Sequence, residues 1–375
     1  MNSDSNPAQV PGSVLLSELE RRGWNQYDLA EVLKVPQSVI SSIMNGKRVI
    51  SVDLDQDLSA ALGTPVGFWV KLATEYSLFS SQSQSDGIAQ REIERRAQLY
   101  QKFPIREMQR RGWIRATKDT EGLEEEVSKF FGPSLCVATR RSKGSSDDLN
   151  PIQEAWCHRA RQMAQTLLVK LFDRAKLDQA EQKLRILAAY PKEARHLPKV
   201  LAEYGIRFVV VEPIAGAKID GAAFWLDEDS PVIAVSGRFD RIDAFWFTVM
   251  HEFSHIRHED SLSVDSELVG ESDATTILVK DEVEMRADKE AAAALIPSEE
   301  MDSFIRRLGP LYSKERIVQF AHRIKIHPGI IVGQLQYRGE IGYSAHREML
   351  AKVRSTIIET SLTDGWGRTL SPEFI

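Results

Sequence analysis

Through residues 10–79 apolar positions recur every three or four residues, in short bursts cut off by Pro11, Gly23, Pro36, Gly46, Gly63 and Pro65. That rhythm predicts a set of short amphipathic helices. SSQSQSDG (80–87) has no apolar side chain and reads as a linker. Helical spacing resumes over 88–131, 142–151 reads as a second loop, and 152–204 is expected to be helical with breaks at Pro191 and Pro198. The period changes at Gly205. IRFVVVE (206–212) is a continuous β-branched run, as a buried strand is, and GAAFWL (221–226) and PVIAVS (231–236) follow as two more strands joined by the polar turn DEDS. Helical spacing returns over 241–258, 281–295 and 313–337, the last as two helices meeting at His327-Pro328. No internal repeat of fixed period is present. The fold class expected is mainly α with a small β-sheet.

Composition narrows this further. The 375 residues are 42% hydrophobic and 27% charged, which suits two or three globular domains. A net charge of −6 (48 basic against 54 acidic) excludes a chain that coats nucleic acid along its whole length, but leaves room for a local reading module. Two cysteines, Cys136 and Cys157, exclude a disulfide scaffold and a four-cysteine metal site and suit a reducing compartment. MNSDSNPAQV has neither a basic nor an apolar signal-peptide region, and no apolar run approaches the roughly 18 residues of a membrane span. A cytoplasmic protein with no membrane partner is expected.

The sharpest chemical signal is His251-Glu252-Phe253-Ser254-His255, an HExxH. Residues i and i+4 share a helix face, so both imidazoles reach one ion, and Glu252 stands beside them as a candidate general base. The apolar run FDRIDAFWFTVM before it supplies the helix. A metzincin needs glycine at position 258 and histidine at 261, and the chain has His258 and Ser261. A carboxylate from EVEMRADKEAAAALIP can close the set. Glu284 is the candidate, Glu282 competes with it, and helical phase alone does not decide. Asp288, one turn beyond Glu284, can hydrogen-bond a ligating imidazole and fix its tautomer. His258 reads as a rim residue, His327 as a helix cap, and Cys157 as a small buried hydrophobe.

From PVIAVSGRFDRIDAFWFTVMHEFSHI to EMRADKEAAAALIP, and on to FAHRIKIHPGIIVGQLQ, the chain resembles the ImmA/IrrE family of zinc metallopeptidases. The resemblance implies a minimal gluzincin-type α+β domain with a glutamate helix carrying E-x-x-A-[ND], here Glu284, Ala287 and Asp288. It implies zinc on His251, His255 and Glu284, with Glu252 as general base, and it places PVIAVS as the substrate-binding edge strand. It also implies a helix-turn-helix repressor or antitoxin-like protein as substrate, whose cleavage derepresses stress or mobile-element genes. Glu290 departs from the family, which usually has a buried phenylalanine there.

The second motif lies in GWNQYDLAEVLKVPQSVISSIMNGKR (23–48). Asn25 caps a helix with Leu29, Ala30 and Leu33 on its apolar stripe, Lys34-Val35-Pro36 turns the chain, and Gln37 to Met44 forms the second helix. Gln37, Ser38, Ser41 and Ser42 are its candidate base contacts, and Gln26, Lys47 and Arg48 its candidate phosphate contacts. Against this, 10–80 holds six basic and eight acidic residues, so one copy should bind DNA weakly, and a homodimer on two half-sites would compensate. The wider segment, with Pro11-Gly12, Gln26, Leu29-Ala30, Gly46-Lys47-Arg48, Leu62-Gly63 and Trp69, resembles the HigA-type antitoxins of the Xre regulators, although Val10 stands where that group commonly has histidine.

The organisation expected is an all-α helix-turn-helix domain (1–80) that binds a DNA operator, a helical spacer (81–204), a zinc peptidase domain (205–340) and a C-terminal extension (341–375). The alternative reading is a DNA-binding antitoxin or repressor whose zinc domain senses and cleaves nothing. Glu252 favours the enzyme, since a structural zinc site needs no base.

Overall fold

The computed structural model describes residues 10–81, 86–132, 149–260, 263–265 and 282–368. The chain divides into two units, residues 1–98 and 99–375. The first holds Pro11–Arg22 (α1), Gln26–Val32 (α2), Gln37–Met44 (α3), Val52–Leu62 (α4) and Phe68–Ser81 (α5). Its termini follow local chemistry. Pro11 opens α1 and Gly23, at φ 69°, closes it. Asn25 and Asp28 form a reciprocal capping box at α2. Leu15, Leu19, Leu29, Ala30, Ile40, Leu58 and Trp69 fill the core. The buried Asp55 carboxylate accepts from the backbone N–H groups of Gly67, Trp69 and Val70, which ties α4 to the start of α5.

Asp86–Lys102 (α6) crosses the boundary between the units. Of the expected linker 80–87, residues 80, 81, 86 and 87 are helical, and 82–85 lie outside the described residues. The second unit opens with Ile105–Arg110 (α7), Thr120–Phe131 (α8) and Pro151–Gln165 (α9). The expected loop 142–151 lies outside the described residues as far as 148; Asn150 then caps α9.

The sheet has five strands: Arg207–Val211 (β1), Gly221–Trp225 (β2), Pro231–Val235 (β3), Ser263–Asp265 (β4) and Leu362–Asp364 (β5), in the order β4-β2-β3-β1-β5. β1 runs parallel to β3 and β5, whereas β2 is antiparallel to β3 and β4. The remaining helices are Leu177–Leu187 (α10), Leu197–Glu203 (α11), Ile242–His258 (α12), Glu282–Leu295 (α13), Ser298–Leu308 (α14), Lys314–Ile324 (α15), Pro328–Tyr337 (α16) and Arg354–Ile358 (α17). Alternate strand residues face two cores. Phe208, Val210, Ala223, Ile233 and Val235 pack with α10–α17. Val209, Val211, Ala222, Phe224, Val232 and Ala234 pack with α7–α9. The strands are therefore buried on both faces, which is why they read as unbroken apolar runs.

Three expectations change. PVIAVS is not an edge strand: β1 and β2 pair with β3 from either side, and the edges are β4 and β5. Segment 81–204 is not a separate spacer, because Ile105, Trp113, Val127, Trp156 and Met163 form the core on the far face of the sheet. Nor is 341–375 an appendage within its described part. β5 pairs with β1, and its buried Asp364 accepts from Trp113 Nε1 at 2.8 Å and from Arg159.

The helix expected over 152–204 is also interrupted, at 167–173. There Lys170 N–H donates to Ala202 O, and the chain passes so close to Gly205 that a Cβ on it would lie 2.4 Å from Phe172 Cα. His327 caps α16, its Nδ1 accepting from Gly329 N–H at 3.0 Å. Cys157 is buried, and burial followed by the charge of Glu252 pushes its thiol up to about 12.

His158 lies 5.1 Å from the rings of both Phe130 and Phe131, and burial pushes its imidazole from 6.5 down to about 4. The unfolded chain thus binds the proton more readily between those values. Unfolding midpoints should hold above pH 6.5 and fall as the pH drops from 6.5 towards 4. In a denaturation series across pH, His158→Phe should flatten that dependence; an unchanged slope would place the acid sensitivity elsewhere.

Candidate metal centre

The centre is built on α12. Ile242, Trp246, Val249, Met250 and Phe253 anchor this helix in the core, so its polar face is carried into the interior as well. His251, Glu252 and His255 are 1%, 0% and 0% exposed. Against them packs α13, whose buried side is Ala287, Ala291 and Leu295; the two alanines let the helices approach closely. Glu284 and Asp288 lie on that same side, four residues apart, whereas Glu282 is exposed.

His251 Nε2 is 3.0 Å from His255 Nε2 and 3.1 Å from Glu284 Oε2, and His255 Nε2 is 3.6 Å from Glu284 Oε1. The opposite side of each ring faces a carboxylate: His251 Nδ1 is 3.0 Å from Asp288 Oδ1, and His255 Nδ1 is 2.9 Å from Asp260 Oδ2. With the ring protons on Nδ1, three lone-pair donors converge on one point. That crowding is repulsive unless a cation lies among them. Ligand atoms held at about 2.0–2.1 Å around a tetrahedral ion stand about 3.3–3.4 Å apart, and the observed separations bracket that value. The donor set therefore fits a divalent metal, and among the described residues this trio is the group of three that could hold one. Burial, then the neighbouring His251, hold the His255 imidazole below the ordinary histidine value, so it is neutral near pH 7, as a ligand must be.

Glu252 lies on the sheet side of the donors, against β2. A Cβ at Gly221 would lie 2.5 Å from Glu252 Oε1 and 2.6 Å from Thr248 Cγ2, so this strand position has room only for glycine. Asp265 of β4 pairs with Gly221. The sheet edge nearest Glu252 is thus formed by β4.

Several contacts had no signal in the sequence. Asp260 follows the left-handed Glu259 that ends α12, and it also accepts from Arg286 Nη2 on α13 at 2.5 Å. Glu290, where a buried phenylalanine is usual, accepts from Ser254 Oγ at 2.6 Å and lies 2.9 Å from His258 Nε2. His258 is accordingly a rim residue paired across the two helices.

In the first unit α2 and α3 meet at the close crossing that Ala30 permits, with Lys34 at φ 53° in the turn. Gln37 Nε2 donates to Gln26 Oε1 at 3.1 Å, joining two of the candidate DNA contacts. Ser38, Lys47 and Arg48 are exposed, while Ser41 and Ser42 are half-buried. The Ser42 hydroxyl donates back to Ser38 O at 2.6 Å, so it presents less to a base edge than Ser38 does.

Gly221→Ala should lower the denaturation midpoint by the equivalent of about 1–3 kcal/mol, because Glu252 and Thr248 are both buried and must shift to admit the methyl. An unchanged midpoint would show that the strand and helix can separate freely.

Residues 15–69 match the family model for the helix-turn-helix, and residues 202–336 match the peptidase-family model described as the IrrE N-terminal-like domain. Virulence-associated protein A' of Dichelobacter nodosus is 36% identical over 69 residues, which are 18% of this chain; the chain spans 60% of that relative's length. A solved addiction module antidote protein of a HigA family from Coxiella burnetii is 27% identical, covering 23% of this chain and 96% of that one with a TM-score of 0.22. No helix among the described residues is long and apolar enough to cross a membrane. The chain thus carries a match to a helix-turn-helix model towards its N-terminal end and a match to the IrrE N-terminal-like domain of a peptidase family towards its C-terminal end.

Proposed function

We propose that the C-terminal domain is a zinc-dependent endopeptidase and that the N-terminal domain, as a homodimer, binds a DNA operator. The observation that carries the first part is the convergence of His251, His255 and Glu284 beside a fully buried Glu252. His251, His255 and Glu284 hold the ion, which when bound supplies Lewis acidity to the scissile carbonyl and to the attacking water. Glu252 takes the proton from that water as its oxygen bonds to the carbonyl carbon. The C–N bond then breaks, and Glu252 returns the proton to the leaving amine. Asp288 and Asp260 keep the ring protons on Nδ1.

A peptide reaches this centre in an extended form. It adds to the sheet through main-chain hydrogen bonds, on the side that β4 borders, and these carry little sequence preference. Selection therefore rests on other surfaces, and the family resemblance favours a helix-turn-helix repressor or antitoxin-like protein as the target. Its loss would derepress stress or mobile-element genes.

Purified protein should hold about one zinc per chain, Glu284→Ala should lose it, and Glu252→Gln should keep it without hydrolysing peptide. Co-expression of wild type or Glu252→Gln with each neighbouring gene product, followed by size, identifies the substrate. If every candidate survives equally with both versions while zinc is bound, the domain is a non-proteolytic sensor.

For the first domain, Lys47→Ala should weaken binding to all DNA sequences and reduce the salt dependence. Gln37→Ala should relax preference at one base pair, costing about 1–3 kcal/mol. Gel shifts on the protein's own promoter read both, and an absence of sequence-dependent binding at low salt would make the domain a protein-contact module.

A further inference from the structure

α12 ends at His258 and α13 begins at Glu282, so 23 residues (282 − 258 − 1) separate the helix that carries two ligands from the helix that brings the third. β4, paired with β2, lies within that connection, and sequence spacing alone does not fix the register of α13 against α12. The buried side of α13, Ala287, Ala291 and Leu295, supplies apolar contact, which is non-directional. A slip of one residue turns a helix by about 100°, enough to carry Glu284 away from the imidazoles. Some polar contact between the helices has to fix the register.

Four sets of polar contacts cross from α13 to α12 and to Asp260, two residues beyond its end. Glu284 meets both imidazoles, Asp288 meets His251, Glu290 meets Ser254 and His258, and Arg286 meets Asp260. Among the described residues, the Arg286–Asp260 pair is the one whose two charges do not depend on the protonation of an imidazole. It also falls in the turn of α13 that bears Glu284. At its other end the same oxygen, Asp260 Oδ2, lies 2.9 Å from His255 Nδ1. Asp260 reaches that point because Glu259 is left-handed, at φ 56°, and Asp260 N–H bonds back to His255 O at 3.0 Å. Chain reversal, ring contact and cross-helix ion pair thus meet in one side chain that is 17% exposed.

We propose that Asp260 and Arg286 form a positioning clamp for the metal ligands. Asp260 holds the His255 ring with its proton on Nδ1 and its Nε2 lone pair towards the centre. Arg286, acting through Asp260, holds the turn carrying Glu284 in register against α12. The clamp rests on the metal reading of His251, His255 and Glu284. It adds an element that HExxH spacing does not contain, and it makes the third ligand's placement depend on a residue just past the end of the HExxH helix.

The test uses the full chain and two readouts. In competition with a chromogenic zinc chelator, Asp260→Ala should raise the zinc Kd by about 10–100-fold. Asp260→Asn keeps an acceptor but no charge and should fall between Ala and wild type. Arg286→Gln should raise the Kd by a smaller factor, and Asp260→Ala/Arg286→Gln should bind no more weakly than Asp260→Ala, since the arginine acts through the aspartate. Arg323→Gln, which breaks an exposed pair with Glu300, should change nothing. In metal-free protein labelled with nitrogen-15 in histidine, the His255 ring should carry its proton on Nδ1 in wild type and shift towards the other tautomer in Asp260→Ala.

A fall in denaturation midpoint with the tautomer and the zinc Kd unmoved would mean that Asp260 only braces the fold, and would overturn the proposal. A double variant much weaker than Asp260→Ala would remove Arg286 from the clamp. A wild type that holds no zinc would overturn the metal reading itself, on which the clamp rests.

Discussion

Two buried imidazole nitrogens on α12 and a part-exposed carboxylate on α13 stand 3.0 to 3.6 Å apart. Burying polar groups costs several kcal/mol when they have no partner, so the groups around them must answer it. The Nδ1 atoms are answered by Asp288 and Asp260. The converging Nε2 atoms and Glu284 call for a cation. The room for Glu252 comes from Gly221, and the close approach of α13 comes from Ala287 and Ala291. The wall behind α12 is the sheet, whose far face is covered in turn by α7–α9.

The most legible part of the centre in the sequence was the part fixed by local geometry. HExxH puts His251 and His255 on one face because i and i+4 always share a face in an α-helix. The choice between Glu284 and Glu282 stayed open in the sequence, and the packed structure decides it through the buried stripe of Ala287, Ala291 and Leu295. Glu284 and Asp288 fall on that stripe, and Glu282 does not. Asp260 and Arg286 were not legible, because they are 26 positions apart and meet only after two helices have docked. The Glu290 departure also resolves locally: its carboxylate is held by Ser254 and His258, so a charged residue sits at a helix crossing without being stranded in the core.

The sheet order shows the limit of short-range reading. PVIAVS precedes the HExxH helix, and the family resemblance implied an edge there, yet which strand is an edge depends on every other strand. β4 and β5 each have three residues, and β5 comes about 150 positions after β1, too short and too distant for a local pattern to place. IRFVVVE, with no alternation, asks for burial on both faces, and HExxH-bearing helix packing covers only one. The amphipathic helices of 105–165 needed a surface for their apolar sides. The two demands satisfy each other, and the spacer becomes the second layer.

The first unit faces a different constraint. With six basic and eight acidic residues between 10 and 80, it has little charge with which to neutralise phosphates. Non-specific affinity for DNA rests almost entirely on that term, so it must be low. The candidate contact residues of α3 are partly fixed in advance. Gln26 holds Gln37 in one orientation, so less rotamer freedom is lost on meeting a base edge. Asn45 Nδ2 covers Ser41 O, which satisfies a carbonyl at the end of the same helix. A weakly charged, preorganised reader discriminates well for the affinity it has, because little of its binding energy is shared between right and wrong sequences.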